Sequence, residues 1–195
     1  MTAARGDAVP SRRRAMRTLD DGMRQVFALY DRLPPRARTT AGLGGGEWSP
    51  KYLLGHLESW QEHALEALDA WQEGHGPAID AVIWSTSTTA LNRDAVARKA
   101  ARRAADQRRR AEVTHERLMA RLEAFGDARW RRPGTARGRT PAGARLGNML
   151  GGPAGPFRHA EAHLRQLRPF VEEHEAGQRL RRTPSGDDDD RRAEL

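Results

Sequence analysis

The chain predicts an all-α fold, an antiparallel four-helix bundle. Three observations point there. Apolar residues recur at three- and four-residue steps in four long stretches. Two helix starts pair a hydroxyl residue with proline, at Ser49-Pro50 and Thr140-Pro141. Glycine and proline clusters separate the stretches, and only one short patch has the composition of a strand. Four amphipathic helices of this length can cover one another's apolar stripes, which is what a bundle does.

The first helix is expected over residues 11–33, where Met16, Leu19, Met23, Val26, Phe27 and Tyr30 share a face and Pro34-Pro35 stops the run. A loop over 36–48 follows, carrying Gly42, Gly44, Gly45 and Gly46. The second helix starts with Ser49 as cap and Pro50 in the first position. Its apolar face is Leu53, Leu57, Trp60, Ala64, Leu68 and Trp71, and Gly74 and Gly76 end it. Residues 77–86, with Ile79, Val82, Ile83 and Trp84, read as a strand or a buried loop. The third helical region spans 89–125. Its second half is patterned by Val113, Leu118, Met119, Leu122 and Phe125, while its alanine- and arginine-rich first half is expected to kink or split near 100–105. The last region opens at Thr140, is broken by the Gly151-to-Pro156 run, and resumes through Phe157, Ala160, Leu164, Leu167 and Val171, with Pro169 a point of bending. The expected organisation is a disordered start over 1–10, a bundle over 11–178, and a disordered charged tail over 179–195 holding Asp187 to Asp190.

A chain of 195 residues suits one domain, and a mean hydropathy of -0.81 still permits a core because the apolar residues are clustered. The absence of cysteine excludes disulfides, thiolate metal sites, iron–sulfur clusters and a cysteine nucleophile. No apolar run approaches the roughly 20 residues of a membrane span, and residues 1–14 carry no secretory h-region, so no membrane contact and a cytoplasmic location are expected. A net charge of +8 raises nucleic acid as a partner, but 32 of the 34 basic residues are arginine, the mark of a GC-rich coding bias. The ridge Arg98, Lys99, Arg102, Arg103, Arg108, Arg109 and Arg110 spreads round its helix with no recognition motif or base-stacking aromatic, so no specific nucleic-acid binding is expected. Residues 42–46 are not a phosphate loop, since no strand precedes them and no lysine follows in register.

Among the seven histidines, His159 and His163 lie four residues apart and therefore on one side of a helix. Such a pair can offer two imidazole nitrogens to one metal ion. Ala160 stands where a zincin has its glutamate, so no general base comes with the pair. His56 falls among Leu53, Leu57 and Trp60 on the buried face of the second helix, the kind of position from which bundles build metal sites. The competing reading is a core histidine bonded to a backbone carbonyl. Three histidines without a cysteine would leave open positions on the ion, the pattern of a catalytic centre, and imidazole suits zinc and nickel alike.

The segment Trp48 to Trp60, WSPKYLLGHLESW, resembles the second-helix signature of the DinB-like superfamily, and Phe157 to Leu167, FRHAEAHLRQL, resembles its last-helix HxxxH segment. Trp60-Gln61, Trp71, Leu91-Asn92 and Pro156-Phe157 are most similar to the ClbS/DfsB branch. The resemblance implies a four-helix bundle whose metal triad is His56, His159 and His163. It also implies either hydrolytic disarming of an electrophilic metabolite, as in self-resistance and detoxification, or transfer to a low-molecular-weight thiol co-substrate. The expected function is therefore a metal-dependent hydrolase or thiol transferase acting on a small electrophile, using zinc or nickel, with a homodimer left open. Trp48, Trp60, Trp84, Asn92 and His115 are the candidate substrate contacts. The alternative is a protein that sequesters a small ligand in the same cleft without turnover.

Overall fold

The computed structural model describes residues 9–136 and 138–182, with Ile83, Trp84, Arg181 and Arg182 described in their backbone only. The expectations for residues 1–8 and 183–195 lie outside the described residues. Helix dominates, and among the described residues the only β-pairing is two isolated bridges, Leu43 with Trp48 and Pro133 with Pro141. The helices are α1 (Arg12–Arg32), α2 (Pro50–Gln72), α3 (Ala78–Ser85), α4 (Thr88–Arg98), α5 (Ala104–Phe125), α6 (Asp127–Trp130), α7 (Ala142–Met149) and α8 (His159–Arg182). No helix among the described residues is long and apolar enough to cross a membrane.

Local chemistry explains most of the boundaries. Ser11 caps α1 by accepting from the Arg14 amide, and Ser49 caps α2 by accepting from the Tyr52 amide with Pro50 in the first position. Gly126, at φ 77°, stops α5. The third region splits where alanine and arginine leave no apolar stripe, giving α4 and α5. Three details differ from the sequence reading. Residues 78–85 form a helix rather than a strand or buried loop, because a short apolar run carries no period of its own. In α5 the inward face is Ala111, Thr114, His115, Leu118 and Leu122, and Val113 points out at 48% exposure. Thr140 does not cap α7, whose N-cap is Pro141 with no side-chain hydrogen bond.

Hydrogen bonds between the four long helices set their directions. At one end of α1, Arg12 donates to Glu123 in the last turn of α5 and to Asp127 at the start of α6, and at the other Tyr30 donates to the Ala104 carbonyl, so α1 and α5 run antiparallel. Arg168 donates to Gln25 and Arg32 to Glu175, so α1 and α8 run in the same direction. Gln107 donates to Glu58 and Arg121 to Asp69, so α2 and α5 also run in the same direction. The bundle is thus two parallel pairs packed antiparallel to one another. A parallel α2–α5 pair needs the chain to return along the bundle, and α3 with α4 make that return.

The core is stacked in two clusters. One joins Leu19, Leu68, Leu118, Trp130, Leu146 and Phe157, and the other joins Met23, Val26, Leu53, Leu54, Leu167 and Val171. Helix α8 begins only half-way up the bundle, where Gly22 of α1 lies so close that an added Cβ would meet Ala160 at 3.2 Å. The corner below it is filled by α6, α7 and residues 150–158. Phe157, buried and at φ 62°, donates its amide to the Gly147 carbonyl, and the His159 amide donates to the Leu150 carbonyl. These contacts aim the start of α8 at the second and third turns of α2, where His56 and Trp60 lie.

Candidate metal centre

Helix α2 carries His56 in its second turn, and α8 presents His159 and His163 from its first two turns at the same height. Candidate ligand nitrogens of the three lie within 4.8 Å of one another. The Nε2 atoms of His56 and His159 face each other at 2.8 Å. Ring centroids are 4.6 Å apart for His56–His159, 5.2 Å for His56–His163 and 5.3 Å for His159–His163. Helical spacing unites the α8 pair, and the half-height start of α8 brings them to His56.

The rings are kept neutral. Burial first, then the neighbouring His159, His163 and Lys99, push His56 down to about 2. Burial and His163 push His159 down to about 3, and burial alone takes His163 down to about 4. Neutral imidazole is the form that binds a metal. The Nδ1 of His56 is buried with no hydrogen-bond partner among the described residues. Two lone-pair nitrogens facing one another are relieved by one shared proton or by a cation. A tetrahedral zinc with nitrogens at roughly 2.0–2.1 Å holds them about 3.3 Å apart, so a small ring adjustment from the observed pair suffices. These residues fit a divalent ion.

The histidines line a cavity of about 870 Å³. Trp48 packs edge-on against His56 at 4.9 Å, and Trp60 lies 6.1 Å from His159 while donating its Nε1 to Asn92 Oδ1 at 2.9 Å. All three line the cavity. His115 does not: it turns towards α1, within 3.3 Å of Asp20, and towards Gln61 at 3.4 Å, as a core histidine with polar partners. The side chain of Trp84 lies outside the described residues. Arg145, paired with Asp80, and Asn148, Arg165 and Gln166 also line the cavity, and the sequence reading named none of them. Gln166 was open to discovery, three residues after His163 on the same helix and bonded to its Nδ1. The Asp80–Arg145 pair carries no local signal, being 65 residues apart in sequence.

The two lysines are buried structural groups, Lys99 among them although the sequence places it in the basic ridge. Lys99 Nζ reaches Glu58 at 3.0 Å, Glu62 at 2.8 Å and the Gly55 carbonyl at 3.3 Å, and Lys51 Nζ donates to the Ala100 and Arg102 carbonyls. Together they bind the His56-bearing part of α2 to the α4–α5 connection.

No curated protein and no solved structure matches the chain. A family model, that of the DinB superfamily, matches residues 19–167. That stretch spans most of the chain, from Leu19 in α1 to Leu167 in α8, and contains all three converging histidines, so the chain belongs to the DinB superfamily.

Proposed function

We propose that the protein is a metal-dependent enzyme of the cytoplasm, acting on a small electrophilic metabolite in the cavity above His56, His159 and His163. The observation that carries this reading is the convergence of three neutral imidazoles, one buried and two half-buried, on the wall of a cavity large enough for a metabolite. Those three residues would hold zinc or nickel, leaving positions for substrate or nucleophile. When bound, such an ion supplies Lewis acidity, polarising an electrophile or lowering the pKa of a water or thiol.

The chain's own residues do the positioning. Trp48 and Trp60 offer flat apolar walls, and the Asn92 bond holds the Trp60 ring in place. Arg165 puts positive charge on the cavity wall, while Arg145 is neutralised by Asp80, and that charge suits a substrate or co-substrate bearing a carboxylate. Among the described residues Asp80 is the only carboxylate lining the cavity, and it is tied to Arg145. None of the described lining carboxylates is therefore free to act as base, which favours a nucleophile that ionises easily, such as a low-molecular-weight thiol, alongside water. On the residues Trp60-Gln61, Trp71, Leu91-Asn92 and Pro156-Phe157 we place the chain nearest the ClbS/DfsB branch, with a detoxification or self-resistance role.

The test is product analysis with an epoxide or other electrophile, with and without a thiol, using metal-loaded and chelator-treated protein. Metal-dependent formation of a hydrolysed product or a thiol adduct supports an enzyme. Stoichiometric retention of unchanged electrophile contradicts it and identifies a sequestering protein.

A further inference from the structure

We propose that Gln166 couples metal loading of His163 to release of the glycine loop at residues 44–46, by fixing which ring nitrogen of His163 carries the proton. The proposal rests on the metal-site reading above and extends it to a side chain and a loop that the reading does not use.

The argument is donor and acceptor accounting. The Gly44 amide can only donate, and it lies 2.7 Å from Gln166 Oε1. The carbonyl end of the Gln166 amide therefore belongs to the loop, and its NH₂ end faces His163 Nδ1 at 2.6 Å. An NH₂ group only donates, so Nδ1 accepts, and neutral His163 carries its proton on Nε2. With Nδ1 covered, Nε2 is the nitrogen left to face an ion, and it is the protonated one. A ligating imidazole does the reverse: it gives a lone pair to the ion and donates its other N–H outward.

Loading therefore requires solvent to deliver a proton to Nδ1 and to take one from Nε2, so that the ring is neutral with one proton before and after. Nδ1–H then needs an acceptor where Gln166 offers a donor. Turning the amide over supplies Oε1 to Nδ1–H, and the same turn brings NH₂ against the Gly44 N–H, where two donors meet. The loop loses its hydrogen bond. Gln166 cannot satisfy the ligand tautomer and the loop together.

The loop is suited to such release. Gly44, Gly45 and Gly46 have φ of 60°, 83° and 103°, and a Cβ at Gly45 or Gly46 would meet nothing within 4 Å. Its base is held by paired backbone bonds of 2.9 Å between Leu43 and Trp48, so motion is confined to the tip. Gly44 backs onto the Trp48 ring, where an added Cβ would sit 3.3 Å from Cγ. Freeing it uncovers that edge of the cavity wall.

The test uses the full chain, metal-free and after addition of zinc alone. Long-range proton–nitrogen spectra should show His163 protonated on Nε2 without metal and on Nδ1 with zinc. Hydrogen exchange at the Gly44 amide should accelerate about tenfold on zinc addition, as expected for loss of one hydrogen bond. Gln166→Glu supplies a carboxylate that accepts from Gly44 N–H and His163 Nδ1–H at once. That variant should bind zinc about tenfold tighter and show no acceleration at Gly44, which separates the latch from the mere addition of charge. Zinc bound by the three histidines with Gly44 exchange unchanged would overturn the coupling, as would equal acceleration in Gln166→Glu. A metal-free His163 protonated on Nδ1 would overturn the role of Gln166 whether or not zinc binds. Failure of zinc to bind at all would instead overturn the metal-site reading, and the coupling with it.

Discussion

A histidine as buried as His56, with one ring nitrogen unpartnered, carries a cost that packing alone does not offset. The cost has a pH signature. Burial holds His56, His159 and His163 at about 2, 3 and 4, against 6.5 for the free ring. As pH falls the unfolded chain takes up protons first, so the metal-free protein is at full stability above pH 6.5 and loses it as pH falls through the folded values. Carboxylates with ordinary values near 4 contribute little above about pH 5. The urea midpoint should therefore drop between about pH 7.5 and pH 5, and drop less in His163→Gln. A midpoint flat across that interval would contradict neutral burial of the three rings. At this scale much of the centre was legible: spacing alone united His159 with His163, and the apolar neighbours of His56 placed it inward. The role of His115 was not legible, because its apolar neighbours on α5 show that it points inward but not towards which helix, and only packing turned it towards Asp20.

At the scale of elements, the decisive feature is that α8 starts half-way up the bundle, which brings its first turn to His56. The Gly151-to-Pro156 break announced an interruption, but its height in the fold depends on how α6 and α7 fill the corner beneath it. The direction of the helices was similarly hidden, since two parallel pairs and an alternating bundle bury the same stripes. The segment joining α2 to α5 is held by buried charge: Glu58, 1% exposed, receives Lys99, Arg102 and Gln107. Glu58→Ala leaves Lys99 with Glu62 as its one carboxylate and leaves the buried Gln107 amide without its acceptor, and should destabilise the fold by about 1–3 kcal/mol. Arg109→Ala, which removes an exposed pair with Asp106, should leave the urea transition unchanged. Equal effects in the two variants would show that the Glu58 cluster contributes no more than a surface pair.

For the whole molecule, the charge of +8 is dispersed rather than focused. Arg12, Arg24, Arg32, Arg108, Arg121 and Arg158 are engaged with carboxylates across the surface. Duplex DNA should accordingly bind weakly and be released by about 0.2 M salt, since contacts to phosphate alone weaken steeply with salt. Sequence-specific binding that persists at that salt would contradict this account. The bundle and its two-part core then serve one purpose, holding three neutral imidazoles from α2 and α8 at a single point on the cavity wall. The most direct test is metal analysis of protein purified without a histidine tag, then exposed to zinc or nickel and dialysed. The account predicts one equivalent of metal per chain, lost in His56→Ala, His159→Ala and His163→Ala but retained in His75→Ala and His174→Ala. Folded protein that retains no metal, or metal retained undiminished in all three of the first variants, would contradict it.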